Sequence, residues 1–238
     1  MDRHNKKLIH INSNHNLTSN RSDAVFDFSE IELQEAYAVR LKDISITNLL
    51  YNVYAKNNVL DYDFGGVAKS IVIPPGNYTS TTLQNVINAL QTDIVFSQNA
   101  ASFKYSVTSA SPSFLKASST IKSVLGFIEN GTASLSYELP LPFDLVRTHY
   151  INILSNLAAS GNCFTSNKEN YGLIAQIPVN LPFGYILNQS QEKDSSDSHK
   201  FDSHVNLSQV RIKLADDNFN ELDINDAKYT ITFNVFTR

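Results

Sequence analysis

The sequence predicts an all-β domain, a sandwich or a barrel. Three observations predict it. Apolar residues recur with a period of two in segment after segment, which puts them on one face of a strand. The segments are short and are bounded by Gly, Pro, Asn, Asp and Ser. Hydrophobic residues make up 42% of the chain and charged residues only 18%. The charged share is usually about a quarter, so Asn, Ser and Thr must form the wet faces.

In chain order, Lys7–Ile11 and Val25–Phe28 open the set of strands. A longer strand covers 36–48. Tyr37, Val39 and Leu41 share one face of it, while Ile44 and Ile46 fall on the other. The phase flips across Lys42-Asp43, which predicts a bulge or a strand that changes sheets. Leu60–Phe64 and Ser70–Ile73 flank the pair Gly65-Gly66, a turn. Phe103, Tyr105 and Val107 alternate with Lys104, Ser106 and Thr108, and Leu135, Tyr137 and Leu139 alternate with Ser134, Ser136 and Glu138. Val146–Leu154, Leu173–Val179 and Tyr185–Leu187 follow. Val210, Ile212 and Leu214, and then Tyr229, Ile231, Phe233 and Val235, close the series in alternation with polar residues. One wet face per strand is the mark of antiparallel sheets.

Two helices interrupt the strands. Leu83, Val86, Ile87 and Leu90 form one apolar face, with Thr81 and Gln84 as a capping box after Pro74-Pro75-Gly76-Asn77. A shorter helix has Ser118 as its cap, Ile121, Val124 and Leu125 facing inward, and Gly126 just past its end. Both lie within 76–128, which reads as a helix-containing insertion into a single domain spanning 1–238. Residues 1–23 read as a flexible N-terminal arm, polar and poor in apolar residues over 12–23. The Ser-rich stretch 189–200 reads as an exposed loop.

The length of 238 residues is ample for a core. A net charge of −4 and a pI near 5.8 argue against a nucleic-acid wrapper. No run of about 18 apolar residues occurs, so no membrane span is expected. No signal-peptide pattern follows Met1, and the lone Cys163 fits reducing surroundings such as a cytosol or nucleus. Cys163 has no nearby His to activate it and reads as structural. The sequons at Asn16, Asn77, Asn130, Asn188 and Asn206 are the chance product of an Asn/Ser/Thr-rich chain.

Catalytic signatures are missing: no G-x-S-x-G, P-loop, H-E-x-x-H or G-x-G-x-x-G occurs. His199 and His204 stand five apart and His149 stands alone, a poor basis for a metal site on a strand. Asp216, Asn218 and Asn220 match the first ligand positions of an EF-hand loop. Glu221 stands where that loop needs Gly, and Ala227 where it needs Glu. A hairpin built on Asx turns fits better. Arg3, Lys6, Lys7 and Arg21 are too sparse to mark an acidic partner. No catalytic residue, metal or cofactor is assigned.

The order of motifs does carry a resemblance. Ile71-Val72-Ile73-Pro74-Pro75-Gly76-Asn77-Tyr78-Thr79 leads into Leu83-Gln84-Asn85-Val86-Ile87-Asn88. Phe103-Lys104-Tyr105, Leu125-Gly126-Phe127, Val146–Leu154, Leu173-Ile174-Ala175-Gln176-Ile177-Pro178-Val179 and Gly184-Tyr185-Ile186 come next. Leu207–Leu214, Asp216-Asp217-Asn218 and Tyr229–Phe236 end the chain. From about residue 36 onward this resembles the penton, or minor capsid, proteins of virophages and Polinton-type double-stranded DNA viruses. The resemblance implies a jelly-roll β-sandwich with a small α/β insertion carrying two short helices. It implies a homopentamer at the fivefold vertices of an icosahedral capsid, in contact with a double-jelly-roll major capsid protein. It implies a virion location after synthesis in host cytoplasm or nucleus, and it brings no catalytic residues.

Two other classes compete. A carbohydrate- or receptor-binding module uses the same architecture, and exposed aromatic residues on one loop cluster would favour it. It is compatible with a vertex protein that also attaches to a host receptor or glycan. An enzyme on a β-scaffold would need a convergent acid–base or metal constellation, which the sequence lacks.

Overall fold

A computed structural model describes residues 5–29, 33–158, 163–164, 170–190, 199–205 and 207–237. The strands run in the order β1 (Asn5–Asn12), β2 (Asp23–Asp27), β3 (Ala36–Thr47), β4 (Val59–Phe64), β5 (Val67–Val72), β6 (Ile94–Asn99), β7 (Lys104–Leu115) and β8 (Ser134–Glu138). They continue with β9 (Tyr150–Ser155), β10 (Cys163–Phe164), β11 (Asn170–Tyr171), β12 (Leu173–Pro178), β13 (Ile186–Ser190), β14 (His199–Val205), β15 (Gln209–Ala215) and β16 (Tyr229–Thr237). Helices α1 (Ser80–Leu90) and α2 (Lys122–Leu125) lie between β5 and β8. The chain divides into two compact units, Met1–Leu49 with Thr148–Arg238, and Leu50–Arg147. The helices belong to the second unit, which is wider than the insertion expected over 76–128.

The first unit has two antiparallel sheets, ordered β1-β16-β3-β13 (with β14 also on β3) and β12-β9-β15-β2. β13 and β14 share one place, lying along different halves of β3. Taken in chain order, the first long strand then pairs with the last, the second with the next to last, and so inward: β1 with β16, β2 with β15, β3 with β13 and β14, β9 with β12. A long hairpin folded over into two sheets pairs in this way. It is the double Greek key of a jelly roll. Ile9, Ile11, Leu41, Ile44, Ile153, Ile177, Ile212, Leu214, Ile231 and Phe233 are buried side chains of this unit's strands.

The bulge read from β3 is present. The register on β16 passes from Thr232 opposite Asp43 to Phe233 opposite Leu41, so Lys42 has no partner. One extra residue resets the alternation, and Leu41 and Ile44 are both buried while Lys42 is exposed.

Three local expectations fail here. Asn5–Asn12 are not an arm but a sheet strand, in continuous register with Thr230–Thr237. The polar stretch after it is tied down by Asn16. Its carbonyl accepts from the backbone N–H groups of Thr18 and Val25, and its amide donates to Asn20 O. The polar face of β16 is not wet. Thr232 and Asn234 are buried because β16 lies between β1 and β3. Thr232 Oγ1 donates to Asp43 at 2.7 Å and meets His10 Nδ1 at 3.2 Å, a polar row across three strands.

In the second unit the sheet order is β5-β4-β7-β6, with β8 on β7. Gly65 and Gly66 form the two-residue turn between β4 and β5, both at positive φ (60° and 83°), as a type I′ hairpin needs. Leu83 and Ile87 of α1 join Leu60, Tyr62, Phe96, Tyr105 and Val107 of the sheet in one core. The helix caps differ from the sequence expectation. Thr79, not Thr81, caps α1, in a reciprocal box with Thr82. Ser118 caps nothing and instead donates to Asp61 Oδ2. Leu135 was expected to face inward but is 55% exposed. The β7–β8 register slips between Ser113 and Thr108, so Leu135 stands opposite an irregularity. Gly126 does end α2, in the left-handed conformation at φ 91°.

A Cβ on Gly126 would lie 2.2 Å from Leu141 O and 2.7 Å from Pro142 O. Gly66 has similar backbone strain (φ 83°) with open space around it. Gly66→Ala is therefore expected to cost about 1 kcal/mol from the left-handed conformation alone. Gly126→Ala carries the same strain plus the clash and is expected to cost roughly 3 kcal/mol or more. Urea-unfolding midpoints of the two variants check this, and equal costs would refute the clash.

Candidate functional site

The residues singled out for chemistry do not converge. Among the described residues no group of three or more His, Cys, Asp or Glu is placed to hold a metal. Cys163 lies in β10, and His199 and His204 lie in β14; the surroundings of those side chains fall outside the described residues. Residues 191–198 of the Ser-rich loop do as well. Asp216 is occupied: its Oδ1 accepts the N–H groups of Asn218 and Asn220 at 2.9 Å each, the Asx turn expected there. His149 meets the Asp217 carboxylate through Nδ1 at 3.2 Å.

The motif around Pro74 is a structural clamp. The Tyr78 ring lies against Gly76, where a Cβ would come within 3.1 Å of it. The Tyr78 hydroxyl donates to Pro74 O at 2.8 Å. Asn52 then holds the Tyr78 backbone from the other side, its Oδ1 accepting from N–H and its Nδ2 donating to C=O. The next residue, Thr79, caps α1. Glycine, tyrosine and threonine in this spacing thus launch the helix. Leu125-Gly126-Phe127 is likewise internal, with both apolar side chains buried.

The features open to partners are surfaces. In the second unit a cleft of about 740 Å³ lies between the segment 128–133 and β8. Buried Leu115, Phe127 and Leu139 line it, as do the exposed Ile128 and residues 129 and 138, both Glu. A smaller polar hollow holds Tyr54, Lys56, Asn57 and Asp144, and the Arg147 guanidinium covers the Tyr54 ring at 4.1 Å.

In the first unit the connection between β12 and β13 exposes Leu181, Phe183 and Tyr185, with Ile186 beginning β13. It is held firmly. Asn48 N donates to Tyr185 O, Asn48 O accepts from Gly184 N, and Asn48 Nδ2 donates to Leu181 O. Gly184 takes φ 87°, and Pro182 stiffens the approach. In the sequence Tyr185–Leu187 reads only as a strand. The signal that reading misses is a run over 178–190 with no charged residue and exposed apolar side chains. The cleft left no signal, because its lining comes from separate stretches, Leu115, 127–134 and 137–140, that meet only in the fold.

This architecture is a jelly-roll domain whose third and fourth long strands are separated in sequence by a second, helix-bearing unit. Among solved structures it is similar to the penton protein of mavirus, with a TM-score of 0.53 and 11% identity over 100% of both chains. That likeness shows a shared fold. A structure from the Sputnik virophage aligns at a TM-score of 0.47 and 11% identity over 97% of both chains. No protein-family model matches the sequence. No curated protein matches it either.

Asp217 anchors the start of β9. Its carboxylate accepts from the N–H groups of His149 (2.7 Å) and Tyr150 (2.9 Å). Burial alone would raise its pKa, but these donors, with His149 and Thr148 side chains, hold it below the ordinary 3.8. A depressed carboxylate stabilises the fold fully above its ordinary pKa, and that contribution is lost as pH falls through the folded value. Asp217→Asn is expected to cost about 1 kcal/mol at neutral pH. The gap from wild type should narrow as the pH is taken below 3.8. Unfolding curves at a series of pH values test this, and a gap that widens in acid would refute it.

Proposed function

We propose that this chain is a structural vertex protein, a penton, of an icosahedral double-stranded DNA virus. It assembles as a homopentamer, contacts a double-jelly-roll major capsid protein and resides in the virion. The observation that carries this reading is the full-length likeness in fold to the mavirus penton protein, met by a motif order that points the same way. The physical features support it. A ring joins one surface patch to a different patch on the next copy, and closes if the rotation is right. The chain has few charged residues and a net charge of only −4, so identical subunits repel one another little. Both units offer exposed apolar surface.

A second reading, attachment to a glycan or other receptor, is favoured by one observation: Phe183 and Tyr185 are exposed on the same loop. Aromatic rings presented this way suit sugar faces as well as protein partners. The two readings are compatible in a vertex protein.

Light scattering behind a sizing column tests the first reading. A closed ring of five is expected at about 133 kDa, five copies of the 26.6 kDa chain, and stable on dilution. A monomer at every concentration and salt would overturn self-assembly. A glycan-array signal from that monomer would make the attachment reading the working one.

A further inference from the structure

We infer that the apolar loop between β12 and β13 of one copy seats in the cleft beside β8 of the next copy, the Tyr185 hydroxyl donating to the Glu129 carboxylate. This inference rests on the ring reading and names the two patches that the ring would join.

The loop is built as a projection. Leu181, Phe183, Tyr185 and Ile186 are 41%, 37%, 60% and 51% exposed. Side chains of this kind are costly to leave in water when grouped, and grouped exposure marks an interaction surface. The Asn48 hydrogen bonds and the strand pairing of Ile186 with Thr47 hold the loop in place, so little freedom is lost on docking. The cleft is built as a receptor. Its volume of about 740 Å³ admits several large side chains. Its floor is core, and Ile128 is 59% exposed at its edge.

Charge selects the occupant. Glu129 and Glu138 line the cleft, and no Lys, Arg or His does. Glu138 already accepts from Asn99 and Ser102. Among the described residues Glu129 has no partner, and neither does the Tyr185 hydroxyl, so a donor on the loop faces an acceptor in the cleft. An acidic peptide or a nucleic acid would be repelled. The loop carries no cation over 178–190 to draw it to an anionic lipid surface. A projection and a complementary hollow at different places on one chain form a head-to-tail contact, the kind that generates rings.

The test uses full-length variants and light scattering. Tyr185→Asp places a charge on the projection, and Ala133→Trp fills the cleft, whose lining includes Ala133. Each is expected to run as a 26.6 kDa monomer that keeps the wild-type circular dichroism and a cooperative thermal transition, the midpoint no longer rising with protein concentration. Mixed in equal amounts they retain one good projection and one good cleft, and are expected to stop at a dimer of about 53 kDa, twice the 26.6 kDa chain. The milder Tyr185→Phe and Glu129→Gln should each raise the concentration needed for assembly roughly tenfold, and their combination should add little. A wild-type ring with both monomer-designed variants still assembling would overturn this inference and leave the ring reading standing. So would mixing that rebuilds the full ring, or wild-type binding to phosphatidylserine vesicles that only Tyr185→Asp abolishes. A wild-type monomer at all concentrations would overturn both.

Discussion

Peptide groups at the end of a strand or the edge of a sheet must find partners, and in this protein asparagine amides supply them. A buried N–H or C=O left alone costs about 1–3 kcal/mol, more than a typical hydrogen bond returns. The asparagine side chain carries one acceptor and one donor side by side, like a peptide group on a short tether. Asn88 of α1 faces β6 in this way, its Oδ1 accepting Phe96 N–H and its Nδ2 donating to Phe96 C=O. The helix thereby closes the strand edge it packs on. Asn156 does the same for β15, accepting from Arg211 N and donating to Gln209 O. Asn52 clamps Tyr78, and Asn58 and Asn16 tie further turns. The low charge and high Asn content are thus one fact. The polar residues are used inward, toward the backbone, as much as outward toward water.

Packing follows from these ties. Each unit encloses its own apolar residues, and charged groups gather at their rims. Arg211 meets Asp23 through both Nε and a terminal nitrogen, and this contact holds the Asp23 carboxyl below its ordinary range. Tyr62, nearly fully buried, donates to Asp93, which also holds Lys69 at 2.7 Å. Burial and that carboxylate push the Tyr62 hydroxyl up to about 12. Half-buried aromatics on β3 and β16 are steadied in turn. Phe236 lies against Tyr37, with Arg40 above its ring.

Much of this fold was legible from residues alone. Period-two alternation located the long strands because their buried faces are continuous. The phase flip at Lys42-Asp43 announced the bulge because one extra residue must invert the alternation. Gly126 and the pair Gly65-Gly66 marked positive φ because other residues resist it. What stayed hidden depends on neighbours distant in sequence. Asn5–Asn12 look polar and loose until β16 pairs with them. Asn234 looks like a wet residue until strands close on both sides of it. Thr79 and Thr81 are equally good caps on paper, and the Asn52 clamp on Tyr78 settles the start of the helix at Thr79. The candidate surfaces were the least legible. Exposure of an apolar side chain belongs to the folded shape, and the uncharged run over 178–190 does not show which of its side chains face water.

The pairing of first strand with last sets the order in which this molecule can form. Of the sixteen strands among the described residues, β1 is made first and its partner β16 last. The three outer pairs, β1 with β16, β2 with β15 and β3 with β13 and β14, all close across long stretches of chain, which makes their formation slow. The second unit is a single continuous stretch, Leu50–Arg147, with every strand partner inside it. It can complete its sheet while β9 to β16 are still unmade. For that interval β1, β2 and β3 are exposed strands without their sheet neighbours. Once that unit has folded, the stretch between β3 and β9 is no longer a long flexible loop, which lowers the entropy cost of closing the rolled hairpin across it.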